Sequence, residues 1–249
     1  MIKRINFRIY SLLIMGVCIV FSSSCNNEPS LNNPTNSKTT AVFNSAVTYG
    51  TMTDQDGNVY KTVTIGTQIW MAENLRTTKY NDGTAISNVT GATEWANLTT
   101  GAYCNYNNTT NTDTIATYGR LYNWYAVNTG KLAPTGWHVP TDAEWSTLTD
   151  YWGREGFAGG ILKETGTTHW ISPNVEATNE AGFTALPGGL RGSEVSYAYG
   201  GVGVSGNWWS STERNTLNAW YRNMFYGYSF VSRFYVIKEL GGSVRCVKD

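Results

Sequence analysis

The chain of 249 residues is long enough to bury one large core, and its size fits a single domain with appendages better than two full domains. Eighteen basic residues balance eighteen acidic ones, which leaves no net field to draw in nucleic acid or an anionic membrane surface. Twenty-six glycines, ten tryptophans and sixteen tyrosines, with only 14% charged residues, argue against a helical bundle and for short strands, many turns and large aromatic contacts.

The first segment reads as a targeting signal. Lys3, Arg4 and Arg8 precede an apolar run from Tyr10 to Phe21 that is short for a membrane span. Ser22, Ser23, Ser24 and Cys25 follow, and small residues ending in cysteine resemble a bacterial lipobox. Cys25 is therefore the expected lipidation site, since Cys18 lies inside the apolar run and would cut it short. Residues 1–25 are assigned to the leader, the polar stretch 26–46 to a flexible tether, and 47–249 to the folded domain.

Around Asp56 and Gly57, polar residues alternate with β-branched and aromatic ones, the signature of a hairpin. Asp54, Asp56 and Asn58 resemble the start of a calcium loop, but Glu73 is too distant to close one. No metal or other cofactor is expected. Residues 118–130 carry Leu121, Trp124, Tyr125 and Asn128 at helical spacing, ending at Gly130. Just before them, Asp113, Thr114 and Ile115 sit in a polar loop and resemble an envelope O-glycosylation site, with Thr114 the acceptor.

Thr141 with Glu144 three residues later forms a capping box, and Trp145, Leu148 and Trp152 then share one helix face ending at Gly153. Asp142 and Glu144 are thereby occupied as capping and dipole residues, with His138 on the extended segment before them. Gly201, Gly203 and Gly206 match G-x-G-x-x-G, but no helix pattern follows, so they are read as a loop between strands. Beyond residue 180 the chain becomes short strands: 183–189, 206–213, 218–225, 229–236 and 241–249. Two main helices with several short, mostly antiparallel strands define an α+β fold.

Seven stretches, DQDGNVYKTVTIGTQIWMAENL, YGRLYNWYAV, GWHVPTDAEW, LKETGTTHW, NEAGFTALPGG, NWWSSTE and SVRCVKD, occur in this order between Asp54 and Asp249. Together they resemble the Fibrobacter succinogenes major paralogous domain family. That resemblance implies a C-type-lectin-like fold, in the branch shared with formylglycine-generating enzymes. It also places Trp70, Trp124, Trp137, Trp145 and Trp208 in family-like motifs, where they are expected to be core. The enzymes of that branch use two closely spaced cysteines, and Cys104 and Cys246 lie 142 positions apart (246 minus 104), so no catalytic residue carries over. Two histidines, His138 and His169, leave little material for metal sites or triads, and Ser210 and Ser211 lack a nucleophile elbow.

An exported protein meets an oxidising compartment, and Cys104 and Cys246 are the pair left once the leader and anchor are set aside. A bridge between them is expected, with two separate buried thiols as the alternative. Tyr197 and Tyr199, Tyr226 and Tyr228, and Trp170 beside His169 are glycine- or loop-flanked aromatics suited to recognition, or else ordinary strand residues. The functional expectation is an envelope lipoprotein, held in outer-membrane lipid through Cys25, whose lectin-like domain binds a polysaccharide or another envelope protein without catalysis. A purely structural envelope component and a divergent oxidoreductase are the alternatives.

Overall fold

The Asp-Gly hairpin forms where the alternation places it. The computed structural model describes residues 33–36, 38–153, 155–194 and 196–249, so Cys18 and Cys25 lie outside the described residues, as do the side chains of Glu155 and Tyr197. Strand β1 (Gly50–Thr53) pairs antiparallel with β2 (Val59–Ile65), and Gly57 supplies the positive φ of 76° that the turn requires. The Asp54 carboxylate accepts from the amides of Asp56 and Asn58 at 2.9 Å each and from the Tyr60 hydroxyl at 2.5 Å. These acidic residues therefore organise the hairpin from within.

After β3 (Gln68–Met71), the chain forms β4 (Ser87–Asn88), α1 (Ala92–Ala96), β5 (Ala102–Cys104), α2 (Thr112–Tyr118), β6 (Leu121–Tyr122), α3 (Trp124–Val127) and β7 (Trp137–His138). Then come α4 (Asp142–Tyr151), α5 (Glu155–Leu162), β8 (Gly188–Glu194), β9 (Tyr197–Val202), β10 (Ser205–Glu213), β11 (Asn218–Phe225), β12 (Val231–Ile237) and β13 (Val247–Lys248). Helices and mostly antiparallel strands make this an α+β fold. One sheet runs β1-β2-β3-β13-β7 and a second β10-β11-β12, with smaller sheets β4-β5-β6 and β8-β9. The last strand thus sits between β3 and β7, with Val247 opposite both Trp70 and His138.

The helical content differs from the sequence expectation. The capping box is present at α4, with Thr141 accepting from the Glu144 amide at 3.2 Å and Glu144 accepting from the Thr141 amide at 2.8 Å. The long helix expected over 118–130 is instead the end of α2, then β6, then the four residues of α3. Gly119 at φ 75° breaks the helix, and Tyr122 exchanges backbone hydrogen bonds with Gly242. The principal helices are α4, α5 and α2, with ten, eight and seven residues. In the 183–189 segment only its last residues are strand, because β8 begins at Gly188.

Tryptophans form the core as expected: Trp70, Trp124, Trp145 and Trp208 are buried, while Trp137 packs against the core partly covered. Trp145 tilts onto Trp70 at 4.8 Å and edges onto Phe183 at 6.0 Å, so truncating it would cost about 3–5 kcal/mol. Four arginines are buried as well, Arg76 and three that reach across the fold. Arg191 donates to the carbonyls of Thr90 and Gly91, Arg222 to Asp142, and Arg245 to Asn74 and the carbonyls of Phe183 and Thr184. Arg191 thereby ties β8 to irregular chain, Arg222 ties β11 to the start of α4, and Arg245 holds irregular segments together, satisfying polar groups that no ladder reaches.

The expected tether is partly docked. Asn33, Thr35 and Asn36 bond to the hairpin tip at Asp56, Gly57 and Asn58, while Asn44 donates to the Asn179 carbonyl. The folded unit therefore begins well before Val47. Side-chain hydrogen bonds replace the apolar burial that this polar stretch lacks.

The expected disulfide does not form. Cys104 and Cys246 are free thiols, each buried in a different core cluster, so their chain neighbours hold them apart. Burial pushes the Cys104 thiol up to about 11 against the pull of Arg191, and raises Cys246 further.

Candidate functional site

Two of the five candidate aromatics stand together at the surface. Tyr226 and Tyr228 occupy the turn from β11 to β12, with Tyr226 half-buried against the core and Tyr228 51% exposed. Trp170 is not a surface residue: it is buried, and its indole donates to the Ala185 carbonyl at 3.0 Å. Tyr199 is engaged elsewhere. It is half-buried, receives a hydrogen bond from Arg191, donates to Asn108 at 2.7 Å and packs on Tyr106 at 5.4 Å. Burial raises its phenol, with the Cys104 thiol adding to the rise. The side chain of Tyr197 lies outside the described residues.

The sequence MFYGYSF supplies the rest of the surface. Phe225 lies 4.6 Å from Tyr226 and 5.5 Å from Tyr228, and Tyr228 stacks on Phe230 at 4.8 Å with only 19° between the planes. Phe230 is 39% exposed, and Phe157 on α5 is also exposed. A single charged side chain fixes this turn from beneath. Lys163, at the end of α5, is buried and donates to the carbonyls of Tyr228, Val175 and Phe225 at 2.8, 3.0 and 3.2 Å. Burial pulls its ammonium down to about 8, with Glu176 opposing.

The packing of α5 explains how a lysine reaches this point. Gly160 donates its amide to the Ser229 carbonyl at 2.9 Å, and a Cβ on Gly159 would lie 2.5 Å from the Phe230 oxygen. Only glycines allow the helix to approach so closely. Trp170 contributes from below, with the Lys163 ammonium 5.5 Å from its ring. The result is an aromatic platform whose backbone is held before any ligand arrives. Lys163, Phe225 and Phe230 escaped the sequence reading, though the aromatic density of residues 225–230 was a usable signal.

A second aromatic group lies further along β11 and β12. Trp220 meets Tyr235 edge-on at 5.8 Å, and Arg233 lies 3.6 Å over Trp220. Arg233 also holds Asp142 at 2.8 Å, which Arg222 holds at 2.7 Å. Burial alone would raise the Asp142 carboxyl, but the two arginines hold it below its ordinary range. Asp142 thus serves as an ion-pair hub at the helix start.

Both histidines sit in hydrogen-bond chains. His138 bridges Glu144 and Asp249 at 2.7 Å each; partial burial pulls its pKa down, but the two carboxylates outweigh this and raise it. His169 bonds to the buried Glu164 at 2.7 Å through Nδ1 and to the Thr40 hydroxyl at 2.9 Å through Nε2. Sequence reasoning discounted such a relay, yet here is an acid, a base and a hydroxyl in line. Its partners show its work: the other Glu164 oxygen accepts the Val42 amide, and Thr40 also bonds to Thr117, so the chain fastens the N-terminal segment. Thr114 lies in the first turn of α2, half-buried, instead of in an open loop.

Cavities lined by Thr35, Tyr60, Glu73 and Arg76, or by Val127, Leu132, His138 and Ser211, hold about 160 and 200 Å³. Both fall below the usual range for a small-molecule site, roughly 300–1,000 Å³. The aromatic platform is the better candidate.

An α+β domain that joins its ends in one sheet and presents a fixed aromatic turn is the class of molecule in hand. The chain belongs to the Fibrobacter succinogenes major domain family, whose model matches residues 63–248. No curated protein and no solved structure matches it.

Proposed function

We propose that this chain is a non-catalytic binding module of the cell envelope, lipid-anchored through Cys25, which takes a glycan on the platform of Phe225, Tyr226, Tyr228 and Phe230. The observation that carries the reading is the turn itself, with Tyr228 and Phe230 exposed on a backbone that Lys163 holds at the Phe225 and Tyr228 carbonyls. Sugar rings present apolar C–H faces that stack on aromatic surface, and the Tyr228 hydroxyl adds a polar rim. Pre-ordering of the turn reduces the entropy lost on binding.

The reading includes a C-type-lectin-like fold. It is supported by the pairing of β13 between β3 and β7, which brings the two ends of the domain into one sheet. Further support comes from long irregular stretches tied down by buried arginines.

Retention on insoluble polysaccharides tests the site. Tyr228→Ala combined with Phe230→Ala should abolish retention and leave the melting transition nearly unmoved, because both rings are substantially exposed. Undiminished retention by the double variant would reject the platform as the site.

A further inference from the structure

Arg76 is 2% exposed, and most of its guanidinium is accounted for. Nε donates to the Thr35 hydroxyl and to the Asn58 side-chain oxygen at 3.2 Å each, and Nη2 donates to the Val59 carbonyl at 2.9 Å. The guanidinium carbon lies 4.3 Å over the Tyr60 ring. Nη1, by contrast, makes no hydrogen bond although it is shielded from solvent. The Glu73 carboxylate faces it with Oε1 at 3.7 Å, too far for a hydrogen bond, while Oε2 is occupied by the Lys61 amide at 2.6 Å. A buried charged donor left in this way is costly, so the position wants an acceptor that the chain itself does not supply.

Arg76 and Glu73 line one cavity of about 160 Å³ between the docked N-terminal segment, which contributes Thr35 and Thr39, and the hairpin, which contributes Thr51 and Lys61. An engineered apolar cavity of about 150 Å³ in another protein holds benzene, so a single six-membered ring is the size that fits. Here the walls are polar, and their charges select the ligand. An anion would face the Glu73 carboxylate, and a cation would face Arg76 and Lys61. A neutral hydroxyl suits both walls, accepting from Nη1 and donating to Oε1. Burial raises the Glu73 carboxyl against the pull of the Lys61 amide and Arg76, and a hydroxyl serves its protonated form equally well by accepting from it. We propose that this cavity binds a neutral sugar one ring in size, with adjacent hydroxyls bridging Arg76 and Glu73, at a site separate from the aromatic platform and independent of it. Because Thr35 and Thr39 form part of the wall, occupancy also holds the N-terminal segment against the hairpin.

Isothermal titration calorimetry of the detergent-solubilised full chain with free glucose, galactose and mannose at millimolar concentrations tests the site. At least one of the three should bind. The Tyr228→Ala, Phe230→Ala double variant should bind it with unchanged affinity, which separates this site from the platform. Thr51→Phe sets a ring at the cavity wall from an exposed strand position, and should weaken binding by about tenfold or more with the melting transition nearly unmoved. Binding of none of the sugars overturns the proposal, as does sugar binding that Thr51→Phe leaves unchanged or that the platform variant loses. Tighter binding of inorganic phosphate or acetate than of any sugar would make this an anion site and overturn it as well.

Glu73→Gln gives the second readout. Glutamine keeps the size and an oxygen for the Lys61 amide but turns an N–H donor toward Nη1, so the bridging hydroxyls lose their acceptor. Sugar affinity should fall by about tenfold, and an affinity equal to the parent's refutes the role of the pair. Limited proteolysis reads the coupling to the N-terminal segment: the bound sugar should slow cleavage of residues 38–46 in the parent and lose that effect in Thr51→Phe, which carries the test should Glu73→Gln fail to fold. Cleavage of the parent at the same rate with and without sugar refutes the coupling.

Discussion

Lys163→Met is the sharpest perturbation of the platform, because methionine keeps much of the side-chain volume and removes only the ammonium. Three carbonyls lose a charged donor, those of Tyr228, Val175 and Phe225. Phe225 retains the Tyr228 amide at 3.3 Å, so two oxygens are left unsatisfied. At about 1–3 kcal/mol for each orphaned buried acceptor, the loss is roughly 2–6 kcal/mol. Relief of the ammonium's desolvation and the added apolar contact offset about 1 kcal/mol of that, in the direction known for apolar replacement of buried charge. The net expectation is about 1–5 kcal/mol, or a melting point lower by about 2–20 °C for a domain of this size. Urea and thermal unfolding followed by tryptophan fluorescence measure it. Polysaccharide retention should weaken at temperatures where the variant is still folded, because the rings no longer share a fixed backbone. A loss under about 1 kcal/mol would show that the ammonium does not hold the turn, and the pre-ordering argument would fall with it.

Four further outcomes follow from the same structure. His169→Ala should expose residues 38–46 to limited proteolysis at protease levels that leave the parent intact, since it breaks the chain from Glu164 to Thr40; unchanged cleavage would remove the fastening role. His138 has a folded pKa raised above 6.5, so its stabilising effect is complete below that value and lost as pH rises through the folded pKa; His138→Gln should therefore cost stability at pH 5.5–6 and little at pH 9, and a cost that grows with pH would reverse the assignment. Alkylation without reductant should leave Cys104 and Cys246 unmodified in folded protein and modify both after unfolding, whereas protection after unfolding would restore the disulfide. Cys25→Ala should move the protein from the detergent phase to the soluble fraction, and unchanged partitioning would remove the anchor.

Local signals were legible where local physics decides the outcome. The Asp-Gly turn, the Thr141–Glu144 box and the strands β10 to β12 all appear near their expected positions, because each depends on neighbours within a few residues. The 118–130 helix failed for the opposite reason. Its apolar spacing was right, but Gly119 and a long-range pairing of Tyr122 with Gly242 override it. Trp170 looked exposed because a polar loop precedes it, and only the distant Ala185 carbonyl shows why it is inside. Arg191, Arg222 and Arg245 were equally invisible, since a buried guanidinium is recognised by the carbonyls it meets and not by any sequence period.

The docked N-terminal segment changes what a lipid anchor would mean for this domain. A flexible tether of residues 26–46 would let the domain wander at the end of a chain with a contour of roughly 70 Å. With Asn33 and Asn36 bonded to the hairpin tip and Thr40 and Val42 held by His169 and Glu164, the docked stretch already includes Asn33, which lies eight residues after Cys25. Eight residues reach at most roughly 28 Å. On the lipid-anchored reading the hairpin tip is therefore held close to the bilayer, and the platform can meet only what lies within about one domain diameter of its own membrane. A glycan of the same envelope fits that reach better than a distant surface.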